Sequence, residues 1–203
     1  ASFGQNFQIT PIQMATAVAS IANGGYLVQP HVVSQVVDAE GNVVKTASTE
    51  VKRQVISGET ADLIANILEE NAVSGSGKNG YVAGYRVAGK TGTSEKKKDE
   101  NGDGVLDYIS SFCGFAPADK AEVVCLVFFD TPTGAAYYGS QVAAPVFAKI
   151  MSEVLPYLGV DAVYTDEELK KTTVTVPDCR FWNAGVAKNF YESSSMGLTV
   201  EIV

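Results

Sequence analysis

Gly84-Tyr85-Arg86-Val87-Ala88-Gly89-Lys90-Thr91-Gly92-Thr93-Ser94 decides the fold, because it admits two incompatible backbones. Read as G-x-x-x-x-G-K-[ST], Gly84, Gly89, Lys90 and Thr91 satisfy the phosphate-cradling P-loop. Read as Lys-Thr-Gly, Lys90, Thr91 and Gly92 form a strand motif of serine acyl-transfer enzymes. A P-loop must pass at once into a helix whose N-terminal amides hold the phosphates. Thr93 is succeeded by Ser94-Glu95-Lys96-Lys97-Lys98-Asp99-Glu100-Asn101-Gly102-Asp103-Gly104, which has no apolar periodicity and two glycines within three residues. No helix starts there. Before it, Tyr85, Val87, Gly89 and Thr91 alternate with Arg86, Ala88, Lys90 and Gly92, the period of two that predicts a strand over 84–94.

Outward from this strand, residues 108–116 and 122–130 read as two more, giving an antiparallel meander with the motif strand at one side. Val124-Cys125-Leu126-Val127-Phe128-Phe129 is apolar on both faces, so helices must cover the sheet. One covering helix is predicted over 143–158, with Val146, Ile150, Val154 and Leu155 as its stripe and Pro145 in its first turn. Upstream, Thr10-Pro11-Ile12-Gln13 is a capping box with proline at the first helical position. Its helix runs through Met14, Val18, Ile21 and several alanines, which predict close packing in a large core, and Asn23-Gly24-Gly25 closes it. Residues 31–37 and 42–46 form a hairpin around Glu40-Gly41, with His31, the single histidine, a surface or packing residue. Ser57 caps a second helix through Ala61, Ile64, Ala65 and Leu68 to Val73, stopped by Ser74-Gly75-Ser76-Gly77. The fold class is therefore α/β of the α+β type, over residues 1–159. Residues 160–172 read as a polar linker, and 173–203 as a small second unit with strands at 174–178 and 198–203 and a helix at 183–191.

Composition narrows the function. With 46% hydrophobic and 19% charged residues in 203, this is an ordinary globular chain, and a net charge of -8 argues against nucleic acid or an anionic membrane surface as partner. An anionic ligand would need a local cluster, of which Lys90 with Lys96, Lys97 and Lys98 is the obvious one, although the triplet alone reads as a solvated loop. No apolar run reaches the ~18 residues of a membrane span. The chain opens on Ala1-Ser2 without an initiator methionine, so a targeting or anchoring segment is expected upstream. Three cysteines make no disulfide framework, and Cys113 and Cys125, on either side of a turn near Asp119, read as buried free thiols opposite each other.

Several phrases, in order, resemble the transpeptidase domain of class B penicillin-binding proteins: Ser2-Phe3-Gly4-Gln5, Thr10-Pro11-Ile12-Gln13-Met14-Ala15, Ile21-Ala22-Asn23-Gly24-Gly25, the run from Gly84 to Thr93, and Tyr138-Gly139-Ser140-Gln141-Val142-Ala143-Ala144-Pro145-Val146-Phe147. The tail, with Val176-Pro177-Asp178 and Gly197-Leu198, resembles the first part of a PASTA domain. The resemblance implies an incomplete penicillin-binding protein/β-lactamase-like fold and acyl transfer through a serine ester without any cofactor. It implies that Lys90 raises the local positive potential and assists proton transfer, and that Lys90, Thr91, Gly92, Thr93 and Ser94 bind a stem peptide ending in D-Ala-D-Ala, or a β-lactam, as an added strand. The Thr93 N–H would be one oxyanion-hole donor, a contribution of roughly 2.7–4 kcal/mol in the transition state. Implied partners are peptidoglycan and proteins of a division or elongation complex, and the implied location is the extracytoplasmic face of the bacterial membrane.

The chain contains one wall of such a site. Its sole Ser-x-x-Lys, Ser94-Glu95-Lys96-Lys97, lies where no helix forms and no apolar surface would depress a lysine pKa. The resemblance implies that the nucleophile and its lysine lie upstream of Ser2-Phe3-Gly4-Gln5, and the chain alone is expected to be inactive. Two rival classes stand beside this reading: a non-catalytic cell-wall or division-partner module acting through the tail, and a nucleotide-binding protein. Separately, Asp99, Asn101, Asp103, Val105 and Asp107 match positions 1, 3, 5, 7 and 9 of a calcium loop, with Gly104 at position 6, but Ser110 stands where the bidentate glutamate belongs.

Overall fold

The computed structural model describes residues 8–99, 102, 104, 106–172 and 183–193. Three strands form its centre: β5 (Ala88–Glu95), β6 (Tyr108–Ala116) and β7 (Val123–Asp130), ordered β5-β6-β7 and antiparallel throughout. Lys90 lies opposite Cys113 and Thr93 opposite Ser110. Alternation along β6 sends its side chains into two cores. Phe112 and Ala116 pack with Phe147, Met151 and Leu155 on one side, whereas Phe115 joins Ala88 and Ala65, with Val18 and Ile21 against them, on the other. Helices cover both faces of this sheet, as the apolar runs require.

The strand buried on both faces is β6, not β7. Every residue of β6 from Phe112 to Ala116 is buried, but Phe128 and Phe129 of β7 are 47% and 37% exposed. Being central, β6 has a neighbour on each side, and β7 has one. The motif strand also begins later than its alternation predicts. Gly84 and Arg86 have positive φ, 79° and 39°, so 84–87 is a turn rather than ladder. Tyr85 and Val87 alternate because both reach the core. Arg86 is fixed in this unusual conformation by a two-pronged pair with Glu69, at 2.8 Å on each prong, and by Asp119 at 2.6 Å, and these partners raise its pKa. Cys113 faces Leu126 and Cys125 faces Gly114, so the two free thiols are one register step apart and point to opposite faces. Burial pushes the Cys113 thiol up to about 12.

Around the sheet, α1 (Pro11–Ala22) carries the predicted capping box: Gln13 N–H donates to Thr10 Oγ1 at 3.3 Å, and Thr10 N–H donates to Gln13 Oε1 at 3.0 Å. Its expected deep burial is not found. Only Ser20 is buried and Ile12 is 57% exposed, because α1 packs through one stripe. β1 (Tyr26–Val28) pairs with β4 (Val51–Gln54), and β2 (Gln35–Val37) pairs with β3 (Val43–Thr46) as the predicted hairpin. The hairpin turn is tied by Asp38, whose carboxylate accepts from Asn42 and Glu40, and the Asn42 side chain lowers its pKa. The exposed His31 precedes the strand that the sequence pattern has it begin.

α2 (Gly58–Ser74) starts at Ser57, whose Oγ accepts from Thr60 N–H, and buries Ala61, Ala65 and Ala72. The predicted 143–158 helix is α4 (Ala144–Tyr157), preceded by the short α3 (Gly139–Val142). Its buried face is Ala144, Phe147, Met151 and Leu155, at helical spacing. Val146 and Ile150, predicted for that face, are 37% and 39% exposed. The tilted contact of Phe147 with Phe112, centroids 4.5 Å apart, sets the rotation.

The chain divides after Val163 into two compact units. In the second, the stretch read as linker contains α5 (Asp166–Thr172). Thr165 and Glu168 cap it reciprocally, Thr165 N–H to Glu168 Oε2 at 2.7 Å and Glu168 N–H to Thr165 Oγ1 at 3.3 Å. The expected helix near 183–191 is α6 (Ala184–Ser193). The strands predicted at 174–178 and 198–203, and the PASTA-like phrases, lie outside the described residues.

Candidate functional site

β5 is an outer strand, and its backbone is organised on the side away from β6. Antiparallel pairing turns alternate residues inward and outward. Lys96 N–H donates to the Asp107 carbonyl at 2.7 Å, which puts the even-numbered positions on the β6 side. Gly89, Thr91 and Thr93 therefore present N–H and C=O outward. The Gly89 carbonyl accepts from Asn71 Nδ2 at 2.7 Å, and the Thr91 carbonyl accepts from the exposed Lys90 Nζ at 3.0 Å. Lys90 Nζ also lies 3.4 Å from Thr91 Oγ1, so ammonium, hydroxyl and outward amides converge on one short edge. This is a strand, with no helix after it, so the P-loop reading fails on geometry.

Two elements hold this edge in place. From the end of α2, Ser76 Oγ approaches Thr91 Oγ1 at 3.3 Å. From the start of α3, Gly139 N–H donates to Thr93 Oγ1 at 3.0 Å. Only glycine fits there, since a Cβ on Gly139 would overlap the carbonyl oxygens of Gly92 and Ser111. Gly92 is confined too, because its Cβ would lie 2.6 Å from Ser111 Oγ. Gly89 leaves room for the Phe112 ring, 2.5 Å from where its Cβ would stand. Ser94 is half-buried farther along the strand.

Beyond Thr93 the segment entering α3 is stitched down. Ser110 Oγ donates to the Tyr137 carbonyl, Tyr137 stacks on Tyr108, and Tyr138 stacks on Tyr137, each with centroids 4.4 Å apart. Tyr108 OH donates to Glu95 Oε2 at 3.2 Å, a bond that raises the Tyr108 pKa, and the Tyr138 hydroxyl does the same for Tyr137. At the far end, Lys96 leaves the lysine triplet. Its ammonium, 12% exposed, pairs with Asp130 and donates to Thr131 Oγ1 at 2.8 Å. Lys97 and Lys98 are exposed, as a solvated loop requires. The local cationic group at the edge is thus Lys90, without Lys96.

Of the calcium-loop residues, Asp99 and Asp107 are described, and Asn101, Asp103 and Val105 lie outside the described residues. Asp99 receives Gly102 N–H on Oδ1 at 2.6 Å and Gly104 N–H on Oδ2 at 2.8 Å, and Asp107 is buried. Among the described residues no group of three or more His, Cys, Asp or Glu could hold a metal ion.

Sequence reasoning misses Asn71, Ser76, Tyr137 and the contact role of Gly139. Gly75-Ser76-Gly77 carries a signal, two glycines around a hydroxyl at a helix end, but reads equally as a simple helix stop.

An antiparallel sheet with helices on both faces and a Lys-Thr-Gly edge strand make this an α+β domain with a polar, substrate-sized strand edge. The chain belongs to the penicillin-binding protein transpeptidase domain family, whose model matches residues 1–152. Stage V sporulation protein D of Bacillus subtilis is 39% identical over 98% of this chain and 31% of its own length. A probable peptidoglycan D,D-transpeptidase PenA of Neisseria flavescens is 36% identical over 87% of this chain and 41% of its own. Among solved structures, the D,D-transpeptidase domain of a peptidoglycan glycosyltransferase from Eggerthella lenta superposes with a TM-score of 0.65 at 28% identity, covering 76% of this chain and 34% of that one. Penicillin-binding protein 3 of Mycobacterium tuberculosis, solved with aztreonam, gives 0.65 at 27%, covering 78% and 37%. The chain spans roughly a third of the length of the curated relatives first matched.

Proposed function

We propose that this chain supplies the Lys-Thr-Gly wall of a peptidoglycan D,D-transpeptidase. The observation that carries the reading is the outward backbone of Thr91 and Thr93 on an outer strand beside the Lys90 ammonium. An acyl-D-Ala-D-Ala peptide would add along this edge, its carboxylate drawn to Lys90 and the Thr91 hydroxyl, and its scissile carbonyl beside the Thr93 N–H. A serine outside the 203 residues would attack that carbonyl, forming a C–O bond as the C–N bond breaks and the terminal D-Ala leaves with a proton. An acceptor amine then takes the acyl group and regenerates the serine. A β-lactam, closing the same contacts, would stay on the serine as a stable ester.

With peptidoglycan as substrate, the protein would work on the outer face of the bacterial membrane, alongside division or elongation proteins. Among the described residues no helix is long and apolar enough to cross a membrane. The similarity to stage V sporulation protein D runs through the tail, which supports 173–203 as a shared appendage of that relative.

Fluorescent penicillin tests the reading. The 203-residue chain alone should form no covalent adduct, and the chain joined to its upstream transpeptidase segment should label. Labelling of the isolated chain would overturn the assignment of the nucleophile to another segment, and failure of the joined protein to label would overturn the enzyme reading.

A further inference from the structure

We propose that Ser76, directed by Asn71, is a positioning residue that holds the Thr91 hydroxyl proton off the substrate edge and so sets how tightly that edge takes up a carboxylate. The inference rests on the reading of β5 as the substrate strand. Lys90, Thr91, Ser76 and Asn71 meet in one line, and the protons each carries fix the direction of every bond between them.

The direction is set at the Gly89 end. A backbone carbonyl only accepts, so the amide nitrogen of Asn71 faces it at 2.7 Å and Asn71 Oδ1 faces Ser76 Oγ at 3.2 Å. An amide oxygen also only accepts, so the single hydroxyl proton of Ser76 goes to Asn71. Toward Thr91 Oγ1, 3.3 Å away, Ser76 then has lone pairs alone to offer, and the Thr91 hydroxyl is the donor. Lys90 Nζ, 3.4 Å from Thr91 Oγ1, carries protons alone and is received on the remaining lone pairs. The relay runs one way, from the ammonium through Thr91 and Ser76 to Asn71, whose amide closes it on Gly89 of the same strand. Thr93 is set the other way: Gly139 N–H donates to its Oγ1 at 3.0 Å, which leaves the Thr93 proton to be given elsewhere.

The loop is shaped to hold this direction. The Asn71 carbonyl accepts from Gly75 N–H at 3.0 Å and from Gly77 N–H at 3.2 Å. A Cβ on Gly75 would stand 2.6 Å from Asn71 Oδ1, and one on Gly77 2.7 Å from Asn71 Nδ2, so glycine on both sides of Ser76 lets the loop wrap the amide this closely. Asn71 is half-buried and Ser76 exposed, so the amide is the fixed end and the Ser76–Thr91 bond is the one that opens.

The consequence is an exchange on binding. A carboxylate accepts and gives no proton, so the Thr91 hydroxyl must turn away from Ser76 to bond it, and one bond of the empty site is lost. The Lys90 ammonium, with three protons, needs no such exchange. Ser76 therefore weakens carboxylate uptake and eases release of the departing D-Ala by the same amount. Because substrate and transition state share that contact, the chemical step is untouched.

The test uses the chain joined to its upstream transpeptidase segment, with fluorescent penicillin as the carboxylate-bearing probe. The concentration dependence of labelling separates the dissociation constant of the first complex from the acylation rate constant. Ser76→Ala should lower the dissociation constant about threefold, the worth of one exposed hydroxyl bond no longer broken on binding, and leave the acylation rate constant unchanged. Ser76→Thr, which keeps the hydroxyl, should match wild type. Adding Thr91→Val should erase the gain from Ser76→Ala, since no proton is left to hold. If Thr91→Val does not label, Ser76→Ala against Ser76→Thr decides. Binding by Ser76→Ala no tighter than wild type, or a gain that survives Thr91→Val, overturns the relay and leaves the substrate strand standing. Failure of the wild-type protein to label overturns the enzyme reading itself, and the relay with it.

Discussion

β5 and β7 are the two outer strands of one sheet, both antiparallel to β6, yet they are finished differently. Along β5, Asn71, Ser76 and Gly139 reach in from two helices to meet the Gly89 carbonyl and the Thr91 and Thr93 hydroxyls. Along β7 the corresponding end carries Phe128 and Phe129, exposed. Strand composition alone would rank them the other way, since β7 is the more apolar and β5 is rich in Gly, Thr and Lys. The difference teaches that a functional edge is recognised by polar groups arranged around its backbone. An apolar strand records only how much of it is covered.

The most severe break in this comparison would come from removing what the two edges share. Phe112 is fully buried, with its ring filling the space left by Gly80 and Gly89 and touching Phe147. Phe112→Ala should cost ~3–5 kcal/mol in chemical denaturation and abolish order on both edges. Phe128→Ala, on the neighbouring strand at 47% exposure, should cost less than ~1 kcal/mol. Comparable losses would mean that β7 is as covered as β6. Next in size, Gly139→Ala drives a Cβ into the Gly92 and Ser111 carbonyls and should cost ~1–3 kcal/mol. Its effect should be confined to one side: amide exchange should quicken at Thr93 and Ser110 and stay unchanged along the outer half of β7. Uniform acceleration would show that α3 supports the whole sheet rather than the substrate edge.

Much of the fold is legible in the sequence because it is local. The Thr10 capping box, the Ser57 cap and the hairpin around Glu40-Gly41 depend on residues within a few positions of one another, and the three-strand order joins strands that are consecutive in the chain. The Lys-Thr-Gly strand is legible from the polar loop after it, which is unable to start a helix. Features that escape depend on distance. Asn71 meets Gly89 across 18 positions and Gly139 meets Thr93 across 46, and no period or cap registers such pairs. The strand start is misplaced because Tyr85 and Val87 alternate for core packing, a cause that a periodicity cannot separate from ladder pairing. The β-branched residues of α4 predict its buried face, whereas the bulk of Phe147 and Met151 decides it. α5 is the instructive miss, since Thr165-Asp166-Glu167-Glu168 is a capping box in plain sight, outweighed by the polar texture around it.

The smallest effect joins the two edges at their common end. Lys96 follows β5, Asp130 ends β7, and the pair bridges them beside Thr131, whose φ of 52° bends the chain toward the ammonium. The hydrogen bond from Lys96 holds the Asp130 carboxyl below its ordinary value of 3.8. A depressed carboxylate contributes stability that is present above that ordinary value and lost as pH falls through the folded one. The stability difference between wild type and Lys96→Met should therefore be constant from neutral pH down to about pH 5, and should shrink below pH 4 as the carboxylate protonates. Asp130 is exposed, so salt screens the pair and the difference should also narrow at high ionic strength. Thermal denaturation across pH 3 to 7 reads both. A difference that stayed constant down to pH 3 would mean that Lys96 acts through packing of its stem and not through Asp130, leaving the two edges joined only through β6.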